Sequence, residues 1–97
     1  MNDYILFMHD DATAPVSDDA WAPYFERLRG LGAFEGGSAI GGGEAVRKPL
    51  APAPLTAGLT GYIRITASSL AAARALVAGN PVYEAGGTVE IRALPKD

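Results

Sequence analysis

The run Tyr4-Ile5-Leu6-Phe7-Met8 is apolar at every position. A strand with one face in water alternates apolar and polar residues, whereas a strand apolar at both parities has to be covered on both faces. This run is therefore expected to be a strand reaching about His9, in a sheet whose two faces both need cover. Leu59 to Thr66 alternates instead: Leu59, Gly61, Ile63 and Ile65 on one side, Thr60, Tyr62, Arg64 and Thr66 on the other. Thr88 to Leu94 does the same, with Val89, Ile91 and Ala93 opposed to Thr88, Glu90, Arg92 and Leu94.

Helical spacing falls between these strands. Trp21, Tyr24, Phe25, Leu28 and Leu31 form one apolar stripe, with Glu26, Arg27 and Arg29 mostly off it. Ser17 is the expected cap, Asp18 and Asp19 suit the positive helix end, Val16 is placed to staple onto Trp21, and Gly32 suits a left-handed stop. Ser68 or Ser69 caps a second helix with Leu70, Ala73, Leu76 and Val77 inward, ended by Gly79-Asn80-Pro81. Phe34 to Ile40 reads as a short strand, Gly41-Gly42-Gly43 as a turn and Glu44 to Lys48 as the return strand of a hairpin. Pro49, Pro52 and Pro54 make residues 49–58 a stiff loop.

The element order is β-α-β-β-α-β, the ferredoxin-like arrangement of an α+β fold: an antiparallel sheet with both helices on one face. Its 97 residues make a single domain, at roughly 100–200 residues per domain. A chain this short has a marginal core of its own. The second sheet face carries strand-one apolar groups beside Tyr62, Arg64, Glu90 and Arg92. A homodimer is the expected cover, sheet against sheet or edge to edge, as a dimeric α+β barrel.

Several function classes are disfavoured. There is no cysteine, hence no disulfide, thiolate nucleophile or zinc–thiolate site. That absence, with a short N-terminal apolar run lacking basic residues, points to the cytoplasm. No apolar stretch approaches 18 residues, so no membrane span is expected. The net charge is −3, and the eight basic residues are scattered, so no nucleic-acid partner is expected. Gly36 to Gly43 matches neither the dinucleotide nor the P-loop pattern; no cofactor is implied.

Three stretches together resemble the YCII-related proteins: Phe34 to Gly43 after the first helix, Gly61-Tyr62-Ile63-Arg64-Ile65, and Gly79-Asn80-Pro81-Val82-Tyr83-Glu84-Ala85-Gly86-Gly87 running on to Arg92. The likeness covers nearly the whole chain. It implies a small dimeric α+β barrel of mostly unassigned activity, in which a His–Asp pair often lies in a cleft. The family aspartate at the end of strand one matches Asp10. The position matching the family histidine is Tyr24, so that pair is not present as such. The related branch marked by Asp-Gly-Pro-Phe is not matched either, since Thr56 to Gly61 stands there.

The residues that can carry chemistry follow. His9 is the sole histidine, beside Asp10 and Asp11. It titrates near neutrality and serves as acid or base; otherwise it is a solvated or backbone-tied strand end. Asp10 is the leading candidate base, the alternative being an Asx-type turn. Tyr24 either reaches Asp10 with its phenol or is core. Arg47, Arg64 and Arg92 can bind a carboxylate or phosphate bidentately, and Arg64 and Arg92 share a parity with Tyr62 and Glu90. An Arg64–Glu90 salt bridge at an interface is the competing reading. No residue spacing supports a metal site. The expectation is a small anionic or carbonyl-bearing metabolite bound near the end of strand one, with cofactor-free isomerase or lyase chemistry. A non-catalytic structural or ligand-sensing homodimer is the alternative.

Overall fold

The computed structural model describes residues 1–48 and 51–96. Four strands, β1 (Asn2–His9), β2 (Phe34–Ala39), β3 (Leu59–Ala67) and β4 (Val89–Leu94), form one antiparallel sheet in the order β2-β3-β1-β4. Three helices, α1 (Trp21–Gly30), α2 (Leu70–Ala75) and α3 (Pro81–Glu84), complete an α+β fold of βαββαβ-like order. β1 is interior, as its apolar run demands. Tyr4, Leu6 and Met8 are buried on the helix side, while Ile5 and Phe7 are half-buried on the other. No helix among the described residues is long and apolar enough to cross a membrane.

Register sorts the side chains. Leu6 pairs with Ile63 and Ile91, and Tyr4 with Ile65 and Ala93. These face α1 and α2, which contribute Tyr24, Leu28, Ala73 and Val77 to the core. Leu6, Leu28, Ile63 and Ile65 are essentially inaccessible, and burying each contributes about 1.5–3 kcal/mol. On the opposite face Ile5 lies between Arg92 and Arg64, and Phe7 between Glu90 and Tyr62.

Five local expectations are corrected. Glu44 to Lys48 is not a return strand: β2 pairs with β3, and residues 44–48 hold only an isolated bridge, Ala45 to Ala53. Ser17 makes no side-chain cap, because Asp18–Ala20 form a 3-10 turn that delays α1 to Trp21. Leu31 lies past the helix end and is exposed. Leu70, first in α2, is exposed rather than inward. Asn80-Pro81 both closes the turn after α2 and opens α3, where Asn80 Oδ1 accepts from the amides of Val82 at 3.0 Å and Tyr83 at 3.2 Å. Other sequence signals agree with the structure. Gly32 closes α1 with φ +70°, Ala33 N donating to Leu28 O and Gly32 N to Arg29 O. Ser69 Oγ caps α2 by accepting from Ala72 N at 3.1 Å. Pro49 lies outside the described residues.

Candidate functional site

A cleft of about 700 Å³ opens on the helix side of the sheet, between α1 and the β2–β3 pair. Its origin is in the sequence. Facing α1 on this half of the sheet are Gly37, Ala39 and Gly61, paired Gly37 with Ile63 and Ala39 with Gly61. A Cβ on Gly37 would lie 2.6 Å from the carbonyl oxygen of Tyr62, and one on Gly61 would lie 3.2 Å from both Met8 Cε and Ser38 O. The strands approach closely over a floor almost without side chains. A bulge brings Gly37 to that floor: Glu35 is the extra residue, and Gly36 takes φ +122°.

The opposite wall is aromatic. Trp21 and Phe25, one helical turn apart, stack with centroids 5.6 Å apart, and Phe25 meets Phe34 of β2 at 5.3 Å. Arg29, a further turn along, lays its guanidinium 4.9 Å from the Phe34 centroid and 5.9 Å from that of Phe25. At the other end of the cleft stand Met8, His9 and Asp10, with Thr60 and Ser38 beside them.

The end of β1 is pinned from two sides. His9 N donates to Thr88 O at 3.0 Å and Asp10 N to Gly58 O at 2.8 Å. Asp11 locks the start of β4, accepting from Thr88 N at 2.7 Å and from the Thr88 hydroxyl at 2.5 Å. Those two bonds, the hydroxyl first, hold the Asp11 carboxyl below its ordinary value. His9 does not pair with Asp10. Its Nε2 donates to Glu90 Oε1 at 3.1 Å, and Arg92 Nη1 reaches Glu90 Oε2 at 3.2 Å. These contacts, His9 first, lower the Glu90 carboxyl from its usual value. Asp10 makes no side-chain hydrogen bond to the described residues. Its Oδ1 would lie 3.1 Å from a Cβ on Gly58, where φ is +86°.

His9, Asp10 and Tyr62 therefore border the cleft, although register turns the Tyr62 side chain to the opposite face with Phe7 and His9 bonds Glu90 there; Tyr24, Arg47, Arg64 and Arg92 do not border it. Tyr24 is buried and its phenol donates to Leu76 O at 2.8 Å, tying α1 to the end of α2 rather than reaching Asp10. Burial raises its pKa above the ordinary tyrosine value. Arg47 Nε donates to Ala51 O at 3.0 Å. Arg64 and Arg92 belong to the opposite face, where Glu90 is bridged by Arg92 and not by Arg64. Among the described residues no three His, Asp or Glu side chains gather as a metal set. Sequence reasoning did not single out Arg29, or the part Trp21 and Phe25 play as a wall. The available signal was the i, i+4, i+8 spacing of Trp21, Phe25 and Arg29, which puts all three on one line of α1.

No family model, curated protein or solved structure matches the chain.

Proposed function

We propose that the chain binds a small anionic or carbonyl-bearing metabolite in this cleft, as a YCII-like homodimer of the ferredoxin-like, dimeric α+β barrel type. The cleft carries the reading. Small-molecule sites are typically concavities of roughly 300–1,000 Å³, mostly apolar, with a few convergent polar groups. The aromatic wall and glycine floor supply the first property; Asp10 at one end and Arg29 at the other supply the second. The half-buried Ile5, Phe7 and Tyr62 on the open sheet face supply an apolar strip for a second copy.

In the catalytic form of this reading, Asp10 takes a proton from carbon beside the bound carbonyl and returns it, an isomerase or lyase step without cofactor. Asp10 suits the role because its carboxylate is unengaged. The engagement of His9 with Glu90 favours the second reading, a ligand-sensing homodimer without turnover, since it leaves Asp10 with no adjacent acid. Fold-level likeness alone does not choose between them.

A thermal-shift screen of small organic acids, lactones and phosphates, on wild type and Asp10→Asn, is the test. A ligand at 100 times its Kd stabilises by about 2.7 kcal/mol. The expected result is a compound class that raises Tm in wild type and loses the effect in Asp10→Asn, with sedimentation velocity giving a dimer mass. Turnover of that class by wild type alone selects the catalytic form, and binding without turnover the sensing form. A broad library that shifts nothing refutes the binding reading.

A further inference from the structure

The proposed cleft has two unlike ends. At one stands Asp10, the one carboxylate among the described residues that line the cleft. At the other is Arg29, the one lysine or arginine among the described residues that line the cleft. Arg29 differs from the other arginines nearby. Arg27 is spent on the carbonyls of Ala75 and Ala78, and Arg92 on Glu90. Among the described residues Arg29 enters no salt bridge and no side-chain hydrogen bond, and neither Glu26 nor Glu35 reaches it. Its guanidinium is instead held over the rings of Phe25 and Phe34. A guanidinium held over ring faces commits none of its N–H groups to an acceptor, so they stay free for the bidentate grip that a carboxylate matches.

We infer that Arg29 is the anion anchor of the cleft and that its ligands are organic carboxylates with an apolar body. The carboxylate rests on Arg29, the body lies between the aromatic wall and the glycine floor, and the far end points toward Asp10. Charge fixes this direction, because a carboxylate at the Asp10 end would face like charge. The register gives the scale: Phe34 pairs with Ile65 and Ala39 with Gly61. Four residues of β3 therefore span the floor, about 13 Å at about 3.3 Å per residue, and Asp10, whose N bonds Gly58 O, lies beyond its end. The inference rests on the proposed binding function of the cleft and adds to it the ligand's charge and direction.

Hydrocinnamate and its neutral isostere hydrocinnamamide separate the two claims. Both are titrated into the full chain while the fluorescence of Trp21, the single tryptophan, reports occupancy of the wall. Wild type is expected to prefer the carboxylate by at least tenfold. Arg29→Met should weaken the carboxylate about 10- to 100-fold, the usual range for losing a charge-assisted hydrogen-bonded pair. It should leave the amide unchanged, which also certifies the fold. Arg29→Lys should recover part of the loss, since it keeps the charge and not the fork. Equal binding of the two probes to wild type, or a carboxylate preference that survives in Arg29→Met, overturns the anchor while the cleft stands. If neither probe perturbs Trp21 in wild type, the cleft reading fails and the anchor with it.

Discussion

Over β1 and the middle of β3 the helix side of the sheet carries Tyr4, Leu6, Ile63 and Ile65, and helices α1 and α2 close on them with no accessible surface at Leu6 or Ile65. Over β2 the same layer carries Gly37 and Ala39, with Gly61 beside them, and the same helix α1 leaves a cleft. One helix covers both halves, so the contrast comes from the strands. Branched side chains fill the space under a helix at close-packed density, whereas glycines leave it empty. The dense half fixes where α1 sits. The glycine half then inherits a gap whose walls cannot close without disturbing the core.

Replacing a side chain in the dense half should have the largest effect on stability. Leu6→Ala removes a fully buried side chain contacted from both sides of the core. It should cost about 2–5 kcal/mol in chemical denaturation. A cost under about 1 kcal/mol would mean that the dense half relaxes as readily as the cleft half, and the contrast would fail.

Tyr24→Phe probes the hydrogen bond that ties α1 to the end of α2. It removes the donation to Leu76 O and should cost about 0.5–1.5 kcal/mol at neutral pH. It also has a pH signature. Burial raises the Tyr24 pKa in the folded chain above the ordinary tyrosine value of 10.0. Its contribution is therefore complete below the unfolded-state pKa and is lost as pH rises through the folded one. Wild type should lose stability more steeply than Tyr24→Phe above pH 10.0. Parallel denaturation profiles across that range would remove Tyr24 from the tie.

The sequence made the dense half legible because its evidence is local. An apolar run at both parities placed β1 inside the sheet, alternation placed Ile63 and Ile65 inward, and Gly32 and Ser69 marked helix ends. The cleft was not legible, for a physical reason. Trp21 and Phe25 have the same helical spacing as true core residues, and only the partner across the gap decides whether an aromatic packs or walls a cavity. That partner is set by β2–β3 pairing, a contact between distant segments, and the pattern at 44–48 suggested a nearer partner. The His9–Glu90 contact was hidden similarly: it spans 81 positions and depends on Phe7 pairing with Glu90. The place of Asp10 beside the cleft was legible because strand ends are visible in sequence, and that of Arg29 was not, because an arginine beside an apolar stripe looks like any solvated charge.

The smallest expected change in stability is also the sharpest test of the contrast. Gly61→Ala adds one methyl group to the floor. The new Cβ would sit 3.2 Å from Met8 Cε, the free end of a flexible side chain, and 3.2 Å from Ser38 O, which belongs to the backbone. Met8 yields easily; Ser38 O has to move by a few tenths of an ångström. Against that cost, alanine in a strand regains about 0.5–1 kcal/mol that glycine loses in backbone entropy. The two terms oppose, so stability should stay within about 1 kcal/mol of wild type. Occupancy of the cleft should not stay. The methyl group rises into the space where an apolar body would lie, and the hydrocinnamate response at Trp21 should weaken severalfold while Tm holds. An unchanged response would show that the floor does not bound the ligand, and that the difference between the two halves of this face concerns packing alone.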